Sequence, residues 1–145
     1  MRQSQLNDVV EILGRRAVGV NVRNGSDLAD AVAQGLSTAA FRNAVRALDQ
    51  PEATIIEGLG LSRSTLHRRQ AGGRLAPVES ERAVRLARVA SLGKVALGSM
   101  AAAGRWLLKP NRALGGRVPL MLLQSDVGTQ EVEAVLGRAV YGGYS

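Results

Sequence analysis

The amino-acid sequence predicts an all-α fold, and three observations carry that reading. The chain of 145 residues is 46% hydrophobic but only 3% aromatic, so its core must be built from Ala, Leu and Val, which suits close-packed helices. Ser, Thr, Pro and Gly divide it into short stretches with apolar residues at helical spacing. Only VGVNV, before Asn24-Gly25, has the composition of a strand, and it is short.

The elements follow in order. The opening MRQSQLNDVVEIL is amphipathic. Ser26 can cap DLADAVAQ, which Gly35 ends, and Ser37 can cap TAAFRNAVRAL, where Phe41, Val45 and Leu48 fall on one face. Pro51 suits the first turn of EATIIEGL, which closes near Gly58 and Gly60. Ser62 is placed to cap RSTLHRRQA, stopped by Gly72-Gly73. After Pro77 comes the longest periodic run, VESERAVRLARVASLGKVAL, with Leu86, Val89, Ala90, Gly93 and Leu97 on one stripe. Gly98-Ser99 breaks it, and MAAAGRWLL forms another short helix. Pro119 opens LMLLQ, and Thr129 is expected to cap QEVEAVLGRAVY, with Val132, Val135 and Leu136 inward. There are no repeats and no low-complexity linker.

Composition bounds the function. Cysteine is absent, which excludes disulfides and thiolate metal sites and fits a reducing cytoplasm. The most apolar stretch, VALGSMAAAG, lies between Lys94 and Arg105 and is too short to span a bilayer. No stretch reads as a signal peptide, so a soluble cytoplasmic protein without a membrane partner is expected. Net charge is +7, and residues 61–88 hold seven arginines against Glu79 and Glu81, a local excess of five. Such clustering suits a polyanion, because each neutralised phosphate releases counterions; it also suits a solvated helix face.

Residues 53–71 give a short helix, a tight GLGLS connection and a second helix, the layout of a helix-turn-helix DNA reader. With Leu66 facing inward, Ser64 and Arg68 lie nearly opposite it, His67 sits beside them, and Arg63 stands at the N-terminal end. Arginine can bond guanine bidentately, and Ser or His can bond a phosphate or base edge. Arg63, Ser64, His67, Arg68 and Arg69 are therefore the candidate DNA-binding residues. His67 is the only histidine and lacks neighbours for metal or general-base work. Arg82, Arg85 and Arg88 form a stripe that Glu79 and Glu81 can pair with, and they read as mainly structural.

The segment GRWLLKPNRALGGRVPLMLL carries the only tryptophan and two of the four prolines. Ala103, Trp106, Leu107, Pro110, Asn111, Leu114, Gly115, Gly116, Pro119, Leu120, Leu122 and Leu123 stand in an order that resembles the toxin-binding domain of Xre/MbcA/ParS-type antitoxins. The likeness continues through Gly128, Val132, Leu136, Gly137, Arg138, Tyr141 and Gly142. Upstream, SRSTLHRR, VESERAVRLARV and GLSTAAF are similar to that family's Xre-like helix-turn-helix and its N-terminal stretch, so the resemblance spans most of residues 28–145.

The resemblance implies a helix-turn-helix core over residues 1–98 and a small helical toxin-binding domain over residues 99–145. It implies a type II antitoxin that covers the active site of a RES-domain, NAD-consuming toxin. It also implies repression of the operon's own promoter by a homodimer within a larger toxin–antitoxin complex. The implied toxin-binding residues are Asn111, Leu114, Gly115, Gly116, Arg138, Tyr141, Gly142 and Tyr144. Met121 stands where an aspartate is common, and Ala139-Val140 replaces a usual isoleucine–glutamate.

Pro110, Gly115, Gly116 and Pro119 fix a loop that loses little entropy when a partner docks, and Asn111 can bond its own backbone two residues on. Trp106 is either a core anchor or an interface hot spot, and its alanine-rich helix favours the core. In RAVYGGYS the tyrosines offer contact area and Arg138 can pair with carboxylates or stack. Nothing in the sequence forms a metal cluster, a Ser/His/acid arrangement or a phosphate loop, so no enzyme and no cofactor are expected. The alternative is a stand-alone helix-turn-helix regulator whose C-terminal part dimerises or senses a ligand.

Overall fold

Side chains just ahead of the helices take up amides that a helix leaves without partners. Asn24 Oδ1 accepts from Asp27 N–H at 2.8 Å, and Ser37 Oγ accepts from Ala39 N–H at 3.3 Å. Ser62, Ser99 and Ser125 do the same for Thr65, Ala102 and Gly128 at 3.2, 3.0 and 3.0 Å. The computed structural model describes residues 1–68 and 73–141, with Arg68 by its backbone alone.

In chain order the helices are α1 (Gln3–Leu13), α2 (Arg15–Val18), α3 (Gly25–Gln34), α4 (Thr38–Leu48) and α5 (Glu52–Gly58). There follow α6 (Arg63–Arg68), α7 (Pro77–Leu97), α8 (Met100–Leu107), α9 (Pro119–Leu122) and α10 (Asp126–Val140). A 3-10 turn, Arg112–Leu114, precedes α9. Among the described residues there is no strand, only isolated bridges at Ser37–Arg74 and Asn111–Arg117. Among these residues, too, no single helix is long and apolar enough to cross a membrane.

Helix α7 is the axle of the molecule, packing against α1, α3, α4, α8 and α10. Its buried face is made of Ala83, Leu86, Ala87, Val89, Ala90 and Gly93, residues small enough for several helices to approach at once. A Cβ on Gly93 would sit 2.8 Å from the Ala103 methyl, so α7 and α8 cross there nearly backbone to backbone. On the other side of α8, a Cβ on Gly104 would run into the Leu48 carbonyl at the end of α4. One apolar core results, running from Leu6 to Leu136 and drawing on both halves of the chain. The expected division at residues 98 and 99 coincides with a 113° bend between α7 and α8.

Four expectations need correction. VGVNV is no strand: Val18 ends α2, Val22 is buried in the helical core, and the Val22 carbonyl accepts from Arg15 Nη1 at 2.6 Å. Of its three valines, Val18 and Val22 pack inward and Val20 is exposed, with no strand among the described residues to pair with. The cap of α3 is Asn24 rather than Ser26, because the asparagine side chain reaches the Asp27 amide. The cap of α10 is Ser125 rather than Thr129, which is fully buried inside the helix. There its hydroxyl donates to the Ser125 carbonyl at 2.7 Å, the back-bonding open to a helical threonine. Leu97, expected on the buried stripe, is exposed where the chain bends away from α7.

Candidate functional site

Two surfaces are built around this core. The first is the pair α5–α6. Ile55, Ile56 and Leu59 bury one side of α5, and Leu66 is the inward residue of α6. With Leu66 fixed, Arg63, Ser64 and His67 are turned outward and exposed, as the rotation along the helix requires. Ser62 Oγ holds the first turn of α6 and lies 3.1 Å from Ser64 Oγ. The Arg68 side chain and Arg69 lie outside the described residues.

The chain leaves the helix pair through a short bridge to the start of α4. Thr38 N–H donates to the Gly73 carbonyl at 3.0 Å, Leu75 N–H to the Leu36 carbonyl at 2.7 Å, and Arg74 Nη1 to the Gly35 carbonyl at 2.9 Å. Beneath α6 a cavity of about 100 Å³ is walled by Phe41, Ile56 and Leu66, with Arg42, Arg63 and His67 at its polar side. Arg42, on α4, is a half-exposed cation that the sequence reading missed. It is remote from α6 in the chain, and only tertiary packing brings it beside Arg63.

The arginine stripe on α7 is structural, with partners from distant segments. Arg88 grips Glu133 of α10 through both carboxylate oxygens, at 2.6 and 3.2 Å. Such a bidentate pair is directional as well as attractive. Arg85 lies 3.9 Å from Glu81 and reaches the Leu123 and Gln124 carbonyls at 3.4 Å each. Arg82 donates to the carbonyls of Leu59 and Gly60 at 3.0 and 3.1 Å.

The second surface belongs to the C-terminal half. Between α8 and α9 the loop closes on itself: Asn111 N–H donates to the Arg117 carbonyl at 3.0 Å, and Gly116 N–H to the Asn111 carbonyl at 2.8 Å. Asn111 Oδ1 accepts from Ala113 N–H at 2.8 Å, the local bond its sequence position suggested. Gly115 and Gly116 take φ of +67° and +80°, a left-handed region costly for other residues. Both are exposed, Asn111 is half-buried, and Leu114 is buried. Leu114 thus anchors the loop to the core and offers a partner no surface in this conformation. Trp106 is half-buried against the core, Pro119 is buried, and Met121 is exposed.

Arg138 and Tyr141 are exposed at the end of α10. The Tyr141 ring lies under the Arg2 guanidinium, 5.7 Å from charge to centroid, within reach of a cation–π contact. An open groove of about 360 Å³ runs beside Tyr141, lined by α1, α7 and α10. None of its described lining residues comes from the Asn111–Gly116 loop, although the 3-10 turn of that loop packs against α10. Gly142 and Tyr144 lie outside the described residues. The contribution of α1 was invisible in the sequence, since no motif links Arg2 to Tyr141.

Residues 27–88 match the family described as the antitoxin Xre-like helix-turn-helix domain. Residues 92–142 match the antitoxin Xre/MbcA/ParS C-terminal toxin-binding domain. The chain is similar to the antitoxin Xre of Yersinia enterocolitica, at 33% identity over 132 residues, covering 90% of this chain and 89% of that protein. It is also similar to the antitoxin Xre of Pseudomonas putida, at 34% identity over 64 residues, 44% of this chain and 40% of that one.

Proposed function

The chain belongs to the Xre antitoxin family, and from that premise we propose that it binds and covers the active site of a RES-domain, NAD-consuming toxin and represses its own operon through α5 and α6. The likeness to an antitoxin along nine-tenths of the chain carries the reading, because it covers the DNA-reading and the toxin-binding halves together.

The chemistry of each surface agrees with its proposed task. Arg63, Ser64 and His67 on α6, with Arg68 and Arg69 beside them in sequence, offer the donors that phosphates and base edges need. A homodimer would present α6 twice, as two half-sites require. The Asn111–Gly116 loop is already shaped by its own hydrogen bonds, so docking costs little ordering entropy. Arg138, Tyr141 and, beyond them, Gly142 and Tyr144 offer a cation and aromatic contact area to the toxin cleft.

The test joins the two proteins. A RES-domain protein encoded beside this chain is expected; co-expressed, the two should co-purify, and Tyr141→Ala with Tyr144→Ala should weaken neutralisation while α1–α9 stay folded. Toxin-challenged cells that grow as well with the double variant as with the wild-type chain would remove the closing residues from the interface.

A further inference from the structure

Three successive carbonyls at and just past the end of α5 are held by side chains from outside the α5–α6 pair. Gln124 Nε2 donates to the Gly58 carbonyl at 2.9 Å, and Arg82 Nη1 donates to those of Leu59 and Gly60. A helix leaves these acceptors without intrahelical partners, and a cation there is favoured by the helix dipole. The fit is close. A Cβ on Gly58 would collide with the Leu120 side chain, and one on Gly60 would lie 2.8 Å from Gln124 Oε1. Arg85, reaching the Leu123 and Gln124 carbonyls, supports the backbone from which Gln124 extends.

Arg82 lies in the same half as the carbonyls it holds, but the Gly58 carbonyl is held, and Gly58 is packed against, from the other half. Gly58, Leu59 and Gly60 lie in the segment matched as helix-turn-helix, whereas Leu120 and Gln124 lie in the one matched as toxin-binding domain. After Gly60 only Leu61 and Ser62 precede α6. With so short a tether, the held end of α5 constrains the direction of α6, which Leu66 also anchors to the core.

We infer that Gln124, a residue of the toxin-binding half, positions the DNA-reading helix α6 by pinning the end of α5, and so couples the two halves. Gln124 is exposed but stands on the α9–α10 connection, off α6 itself. The inference rests on the reading of α6 as the helix that meets DNA.

The test is Gln124→Met, which keeps length and neutrality and removes the donor. Operator affinity should fall roughly fivefold, the worth of one net hydrogen bond. Its salt dependence should be unchanged, because no phosphate contact is lost. In the free chain, the amides of Leu59, Gly60 and Leu61 should exchange with solvent faster, while amides of α7 keep wild-type rates. Wild-type affinity together with wild-type exchange overturns the inference. So does a reduced salt dependence, which would make Gln124 a DNA contact, or uniformly faster exchange, which would make it a general stabiliser. If the wild-type chain retards no operator fragment, the DNA reading itself fails and the exchange rates alone decide whether Gln124 pins the turn.

Discussion

Gly104 shows how far a single residue's meaning depends on its neighbours. Inside a helix, glycine ordinarily costs about 1 kcal/mol relative to alanine, so Gly104→Ala would stabilise an isolated α8. In the folded chain the added methyl meets the Leu48 carbonyl, where α4 and α8 press together. Gly104→Ala should therefore destabilise by about 1–3 kcal/mol, the usual cost of overpacking, read as a lower urea midpoint. A midpoint at or above wild type would show that α4 and α8 are not in contact there. The sequence gives no hint of this constraint, because a glycine needed for close approach looks like any other small residue. Asn111 is the opposite case. Its role as the brace of the Pro110–Pro119 loop was legible, because the bond to Ala113 is local and depends on nothing beyond the loop.

At the scale of elements, α6 was legible and its setting was not. Ser62 as cap, Leu66 as inward residue and Arg63, Ser64 and His67 as the outward face all follow from helical spacing, and the structure has them so. The bond from Gln124 to Gly58 spans 66 positions, and no local pattern encodes it. The misplaced caps at Ser26 and Thr129 share one cause. Several small polar residues crowd each helix start, and which one caps depends on backbone geometry that a one-residue pattern does not contain. If α6 meets the operator, Arg63→Ala with Arg68→Ala should weaken binding and lower the slope of log K against log salt by about two, one per lost phosphate contact. Neutralisation of toxin should be untouched. A mobility shift with wild-type salt dependence would place the DNA contact on another face, with Arg42 the first residue to examine.

For the whole molecule, the decisive feature is that both functional halves share α7. Leu86, Ala87 and Ala90 are buried in a core that α1, α4, α8 and α10 all join, and the Arg88–Glu133 pair ties α7 to the far helix. Two segments that match separate families by sequence thus form a continuous body. The sequence showed two functional regions and the break at Gly98-Ser99; it did not show that the break folds α8 back onto α4 and α7. That shared core joins the loop and the end of α10 to the same body that carries α6.

The most direct test of the proposed function is NAD consumption by the proposed RES-domain partner, measured with and without the intact chain. The account predicts that a stoichiometric amount of this chain stops the loss of NAD. Consumption continuing at its unopposed rate, with both proteins folded and mixed, would contradict it.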